Sequence, residues 1–109
     1  MLGRKVDTIV TGGENVMPTE VEAALLAHPA VREAGVFGRP DPEWGEAVSA
    51  HVVLRASADP DELRAFAAAR LARFKVPKTI EPVDALPRNA AGKLLRRRLL
   101  QHPHDAREP

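Results

Sequence analysis

Apolar residues fall along this chain in short runs of changing period, and each change of period marks a candidate element. Thr8-Ile9-Val10-Thr11 is β-branched and stops at Gly12-Gly13, which predicts a short strand entering a turn. A helix is expected next. Pro18 suits its first turn, Glu20 and Glu22 favour its positive end, and Val21, Ala24, Leu25 and His28 recur at helical spacing until Pro29 stops the run. Val31 to Phe37 reads as a strand. Gly38-Arg39-Pro40-Asp41-Pro42 reads as a rigid loop, because its prolines remove backbone donors and restrict φ, and Trp44 follows it. Ala47 to Leu54 is mostly apolar with partial alternation, so a strand covered on one face is predicted there.

In the second half, Asp59-Pro60-Asp61-Glu62 has the form of a capping box: a cap at Asp59, proline at the first helical position and Glu62 three residues after the cap. Leu63, Phe66, Ala67, Arg70 and Leu71 mark one helical face, with Arg70 across its edge. Phe74-Lys75-Val76-Pro77-Lys78 breaks that pattern. Thr79 to Val83 is compatible with one more strand, which Pro82 would confine to a sheet edge. Pro87 to Gly92 reads as a loop, Lys93 to Gln101 as a short helix, and residues 102–109 as a polar tail. Without a sustained βαβα rhythm, the layer rules favour an α+β fold: a small sheet of about three strands packed against helices, in one domain over residues 1–101.

Composition narrows what such a domain can do. With 109 residues, 44% apolar and 28% charged, the chain fits one small domain. Domains of this size seldom also enclose a nucleotide and two further substrates, so complex chemistry would be shared with another domain. Sixteen basic and fifteen acidic residues leave a net charge of +1, which gives no global field to attract nucleic acid or a membrane surface. The absence of cysteine excludes disulfides, thiolate metal sites and thiol nucleophiles, and fits a reducing cytoplasm. No apolar run approaches the ~18 residues of a membrane span, and no signal-peptide core is visible. A cytoplasmic location is expected. The four histidines show no metal-ligand spacing, so no metal site is predicted. Arg96-Arg97-Arg98 suits the negative end of a short helix and has no interleaved aromatics, which argues against nucleic acid.

Three ordered segments carry a resemblance. The first is Gly3-Arg4-Lys5-Val6-Asp7, Gly12-Gly13-Glu14-Asn15-Val16 and Pro18-Thr19-Glu20-Val21-Glu22; the second is Gly38-Arg39-Pro40-Asp41 with Trp44-Gly45-Glu46. The third is Phe74-Lys75-Val76-Pro77-Lys78, Leu86-Pro87-Arg88-Asn89 and Gly92-Lys93-Leu94-Leu95-Arg96. Together they resemble the C-terminal domain of the adenylate-forming superfamily, which includes acyl-CoA synthetases, luciferases and peptide-synthetase adenylation domains. The Gly-Gly-Glu-Asn-Val and Phe-Lys-Val-Pro-Lys forms are more similar to the CoA ligases. His28 to Ala34 and Gly38 to Glu46 look similar to o-succinylbenzoate and fatty-acid CoA ligases.

The resemblance implies ATP, Mg2+ and CoA in a full-length enzyme that adenylates a carboxylic acid and then passes the acyl group to CoA. It implies an N-terminal domain as partner and a swivel between two active orientations, about a hinge near Arg4, Lys5, Val6 and Asp7. Isolated, the chain is expected to be inactive. Lys93 is the implied catalytic residue of adenylation. Its expected place at a helix start, where a cation is locally unfavourable, is the kind of mismatch that gathers at functional sites; a solvated surface lysine is the plain alternative. Gly12, Gly13 and Glu14 are implied to border the pantetheine arm, although spacing alone reads the glycines as a turn. Trp44, Phe74 and Lys78 are implied at the nucleotide end of CoA, with Lys75 a further cation; core filling is the alternative for both aromatics. Two departures stand out: Val76, where some CoA ligases carry arginine, and Val6 at a pivot usually occupied by Asp or Lys. A free-standing binding module, or an adenylation domain feeding a carrier protein, are the rival functions.

Overall fold

Gly12 and Gly13 both adopt positive φ, 57° and 84°, and reverse the chain in two residues. Strand β1 (Ile9–Thr11) therefore folds back on β2 (Glu14–Val16), with Ile9 opposite Val16. The computed structural model describes residues 8–101, so the expected hinge at Arg4, Lys5, Val6 and Asp7 and the tail at 102–109 lie outside the described residues. Helix α1 (Pro18–Leu26) begins with Pro18 as expected, although Met17 at its cap supplies no side-chain hydrogen bond. A long hairpin follows: β3 (Val31–Asp41) and β4 (Gly45–Leu54), paired antiparallel from Val31/Leu54 to Asp41/Gly45.

The expected loop at Gly38 to Pro42 is mostly strand. Pro40 pairs with Glu46 within the ladder, and β3 forms the sheet's outer edge, where a missing N–H breaks no second ladder. The turn is instead Pro42 to Trp44, where Asp41 Oδ1 accepts from the N–H groups of Glu43 (2.8 Å) and Trp44 (2.9 Å).

Helix α2 (Pro60–Ala68) is capped by Asp59, whose carboxylate accepts from Asp61 N rather than from the Glu62 N–H of a capping box. Glu62 turns instead to His28 Nε2 at 3.0 Å and ties α2 to the end of α1. A 3-10 turn (Arg73–Lys75) leads into β5 (Thr79–Pro82), which runs parallel to β4, and α3 (Arg96–Gln101) closes the described chain. The result is the expected α+β architecture, and its sheet has five strands among the described residues where about three were expected. Its order is β2-β1-β4-β3, with β5 also on β4.

Strand β4 is central, and the run from Ala47 to Val53 is buried on both faces, not on one. On the first face Val36, Val48, Ala50 and Val52 meet Val21 and Leu25 of α1 and Leu63 and Ala67 of α2. On the second, Phe37 and Val53 are covered by Leu86 and Leu99, with Val83 and Leu94 against them. Gly35 permits that second layer, because a Cβ there would stand 2.9 Å from Leu99 Cδ1. Each fully buried aliphatic side chain contributes about 1.5–3 kcal/mol.

Around the free edge of β3 the two layers are tied by one buried carboxylate. Glu22 of α1 accepts the Val36 N–H at 2.9 Å and both Nε (3.0 Å) and Nη2 (2.7 Å) of Arg96 in α3. No helix among the described residues is long and apolar enough to cross a membrane.

Candidate functional site

At the turn end of the β3–β4 hairpin, Trp44 is held by its own backbone: Gly12 N donates to Trp44 O at 2.8 Å. The indole lies so close to Gly12 that a Cβ there would come within 2.9 Å of Trp44 Cε3. Trp44 is 42% exposed, and the Lys78 ammonium stands 4.8 Å from the ring centroid. Phe74, on the 3-10 turn, is 39% exposed and fills no core. Gly12, Glu14, Trp44, Phe74 and Lys78, all expected at the CoA site, line one cavity of about 360 Å³ together with Thr11, Arg73 and Val76. Gly13 is not in that wall, and a Cβ there would meet nothing within 4 Å.

The segment bearing Phe74 and Lys78 is braced from α2. Arg64 donates to the carbonyls of Pro77 (3.3 Å) and Lys78 (3.4 Å) and pairs with Asp61 at 2.7 Å, while Lys78 N donates to Val48 O on β4. Lys75 faces α1, where its ammonium lies 2.8 and 2.9 Å from the two carboxylate oxygens of Glu20.

Lys93 lies elsewhere. The expected helix start at this residue is corrected: α3 begins at Arg96, because Gly92 at φ 86° and a closed turn occupy the preceding positions. Arg88 and Leu94 form an antiparallel bridge, Asn89 N donates to Lys93 O, and Asn89 Oδ1 accepts from Ala91 N and Lys93 N, each at 2.9 Å. Arg88 reaches Gly92 O and Glu33, both at 3.0 Å. The helix-dipole rationale for Lys93 therefore falls, and a braced loop takes its place. The Lys93 ammonium is exposed and has no ion pair or hydrogen bond among the described residues.

The two regions are far apart. Lys93's loop is fastened at Glu33 and Trp44 sits beyond Asp41, eight strand residues along β3, which at ~3.3 Å per residue is roughly 26 Å. Among the described residues no group of three His, Cys, Asp or Glu side chains is placed to hold a metal ion, so these residues offer Mg2+ no ligand set.

Residues 20–93 match the model of the AMP-binding enzyme C-terminal domain. The chain belongs to this family. It is 56% identical over 99 residues to a 2-succinylbenzoate–CoA ligase of Bacillus velezensis, covering 91% of this chain and 20% of that one. The fold superposes with a TM-score of 0.86, at 47% identity, on a double mutant of the o-succinylbenzoate CoA synthetase of Bacillus subtilis bound with a product analogue, covering 94% of this chain and 21% of that one. A fatty acyl CoA synthetase of Mycobacterium tuberculosis gives 0.87 at 38% identity, covering 97% and 21%. This AMP-binding C-terminal domain thus spans about a fifth of the length of these relatives.

Sequence reasoning missed Arg73 and Thr11 in the cavity wall. Thr11 was legible as the neighbour of Gly12. Arg73 was hidden by the 3-10 turn, in which residues three apart eclipse: Arg73 shares a side with Val76, whereas Lys75, its ammonium 5.7 Å from the Phe74 ring centroid, turns to Glu20 and stays out of the wall. Gly12→Ala in this domain is expected to cost about 1–3 kcal/mol, combining the left-handed backbone with the clash against the indole. Urea unfolding gives the cost, and the emission of Trp44, the sole tryptophan, should shift in the folded state.

Proposed function

We propose that this chain is the mobile C-terminal domain of an AMP-forming ligase that joins 2-succinylbenzoate to CoA. The observation that carries the reading is the exposed Lys93 ammonium, unpaired among the described residues, on a braced loop fastened at Glu33, eight strand residues or roughly 26 Å along β3 from the Asp41 end that bears the aromatic cavity. A rigid body with two functional ends so far apart cannot bring both to one reaction centre in a single orientation. Rotation about a hinge, for which we take Arg4, Lys5, Val6 and Asp7, would present them in turn.

In the first orientation, the carboxylate oxygen attacks the α-phosphorus of ATP, a P–O bond forms, and pyrophosphate leaves with the electrons of the broken bond. Lys93 offsets the negative charge gathering on the phosphoryl and carboxylate oxygens. Mg2+ supplies further charge neutralisation when bound with the ATP phosphates, at a place to which the described residues contribute no ligand set. In the second orientation, the CoA sulfur, its thiol proton given up to solvent, attacks the acyl carbonyl; a C–S bond forms, the acyl C–O bond breaks and AMP leaves with its electrons. Trp44 and Phe74 receive the adenine of CoA by stacking, and Lys78 adds a cation beside the ring. Gly12, Gly13 and Glu14 border the path of the pantetheine arm, where Gly13 presents bare backbone. The N-terminal domain of the same enzyme holds the acid, and the setting is the cytoplasm, where ATP and CoA are supplied.

The names of the relatives favour 2-succinylbenzoate over a fatty acid. The test is pyrophosphate release by the full-length enzyme. ATP- and CoA-dependent turnover of 2-succinylbenzoate, at a kcat/KM at least about tenfold above that for fatty acids, is expected. Acyl transfer to a carrier protein but not to CoA overturns the ligase reading; preference for a fatty acid overturns only the substrate.

A further inference from the structure

Three cations crowd the segment from Arg73 to Lys78, and the fold uses each differently. Lys75 is neutralised by both carboxylate oxygens of Glu20 at 2.8 and 2.9 Å. Lys78 is committed to the face of Trp44, 4.8 Å from its centroid. Arg73 lines the same cavity as Trp44 and Phe74, is exposed, and its side chain has no ion pair or hydrogen bond among the described residues. Glu14, the acid of the cavity wall, makes no ion pair with it there, so the guanidinium is not neutralised in place.

An adenosine stacked between exposed aromatics carries its phosphates along. The 3′-phosphate of CoA is a monoester with three peripheral oxygens and, with a second pKa of about 6, nearly two charges at neutral pH. Each phosphate of the diphosphate bridge carries one ester and one anhydride linkage and about one charge. A planar guanidinium binds a monoester dianion through two parallel N–H···O bonds, a geometry an ammonium cannot match. A cavity of about 360 Å³ has room for a nucleoside end, not for the whole of CoA. Val76, beside Arg73 in the wall, contributes no charge.

Resting on the CoA-ligase reading, we propose that Arg73 binds the 3′-phosphate of CoA and makes the enzyme discriminate CoA from dephospho-CoA. The role expected for Lys75 passes to the residue two positions before it in the 3-10 turn, one that lines the cavity.

The experiment compares KM for CoA and dephospho-CoA in the full-length enzyme and its Arg73→Ala, Arg73→Lys and Lys75→Ala variants. The unaltered enzyme should prefer CoA by roughly ten- to a hundred-fold, the scale of a charge-assisted bidentate contact. Arg73→Ala should raise KM for CoA by that factor and leave KM for dephospho-CoA within about threefold, which abolishes the preference. Arg73→Lys should fall between, and Lys75→Ala should keep the preference intact. Equal effects of Arg73→Ala on both thiols, or no preference in the unaltered enzyme, overturn the assignment while the ligase reading stands. Absence of turnover with either thiol defeats the ligase reading, and the assignment falls with it.

Discussion

Replacing Lys93 by alanine in the full-length enzyme is expected to slow adenylate formation by about a hundred- to a thousand-fold, the usual cost of removing one preorganised charge donor from a developing oxyanion. Thioester formation from preformed adenylate should change by less than about threefold, because in the proposed mechanism that step uses the other end of the domain, roughly 26 Å away along β3. Stability should also be unaffected: the ammonium is exposed and makes no ion pair or hydrogen bond among the described residues. The loop that carries it is held by backbone and by Asn89 and Arg88, none of which needs the lysine side chain. Single-turnover kinetics of the two half-reactions separate the outcomes. Equal loss in both steps, with an unchanged melting temperature, would remove Lys93 from its proposed role. A fall in melting temperature would instead make it a structural residue.

What the sequence disclosed depended on how local the cause was. Helix α1 was readable because proline, acidic residues and apolar spacing all lie inside it; α2 was readable from Asp59 and Pro60. Strand β2 was missed, since three residues hardly make a pattern, although Gly12-Gly13 is itself a two-residue hairpin signal. The extension of β3 through Pro40 was hidden because a proline is excluded only from the interior of a sheet, and which strand lies at the edge is a tertiary fact. Likewise the second buried layer, with Leu86 and Leu99 over Phe37 and Val53, joins residues distant in sequence and left no periodic trace. At the cavity, the positions expected from motifs converge, since Gly12, Glu14, Trp44, Phe74 and Lys78 come from three separate segments to one wall. The phase of the 3-10 turn was not legible, and it decides that Arg73 rather than Lys75 faces the opening.

The Glu22–Arg96 pair predicts the largest loss of stability. Glu22 and Arg96 retain only 11% and 16% side-chain exposure, so neither charge is well hydrated if its partner is removed. The carboxylate also serves the Val36 N–H at the outer edge of β3, which has no neighbouring strand among the described residues. Glu22→Ala therefore leaves the Val36 N–H without its acceptor and takes a buried carboxylate away from the Arg96 guanidinium, and the expected cost is about 3 kcal/mol. At roughly 4–8 °C per kcal/mol for a domain of this size, the melting temperature should fall by at least about 12 °C. Glu22→Gln keeps an acceptor oxygen for Val36 and should cost less. The Glu20–Lys75 pair is the internal control: its carboxylate is 47% exposed, and Glu20→Ala should cost no more than about 1 kcal/mol. Thermal and urea unfolding of the domain, followed by circular dichroism, measure all three. Similar small losses for Glu22→Ala and Glu20→Ala would mean that water reaches the β3 edge and that the carboxylate does not hold the two helical layers together. A large loss confined to Glu22→Ala would identify this pair as the tie that carries α3, and with it the base of the Lys93 loop, onto the sheet.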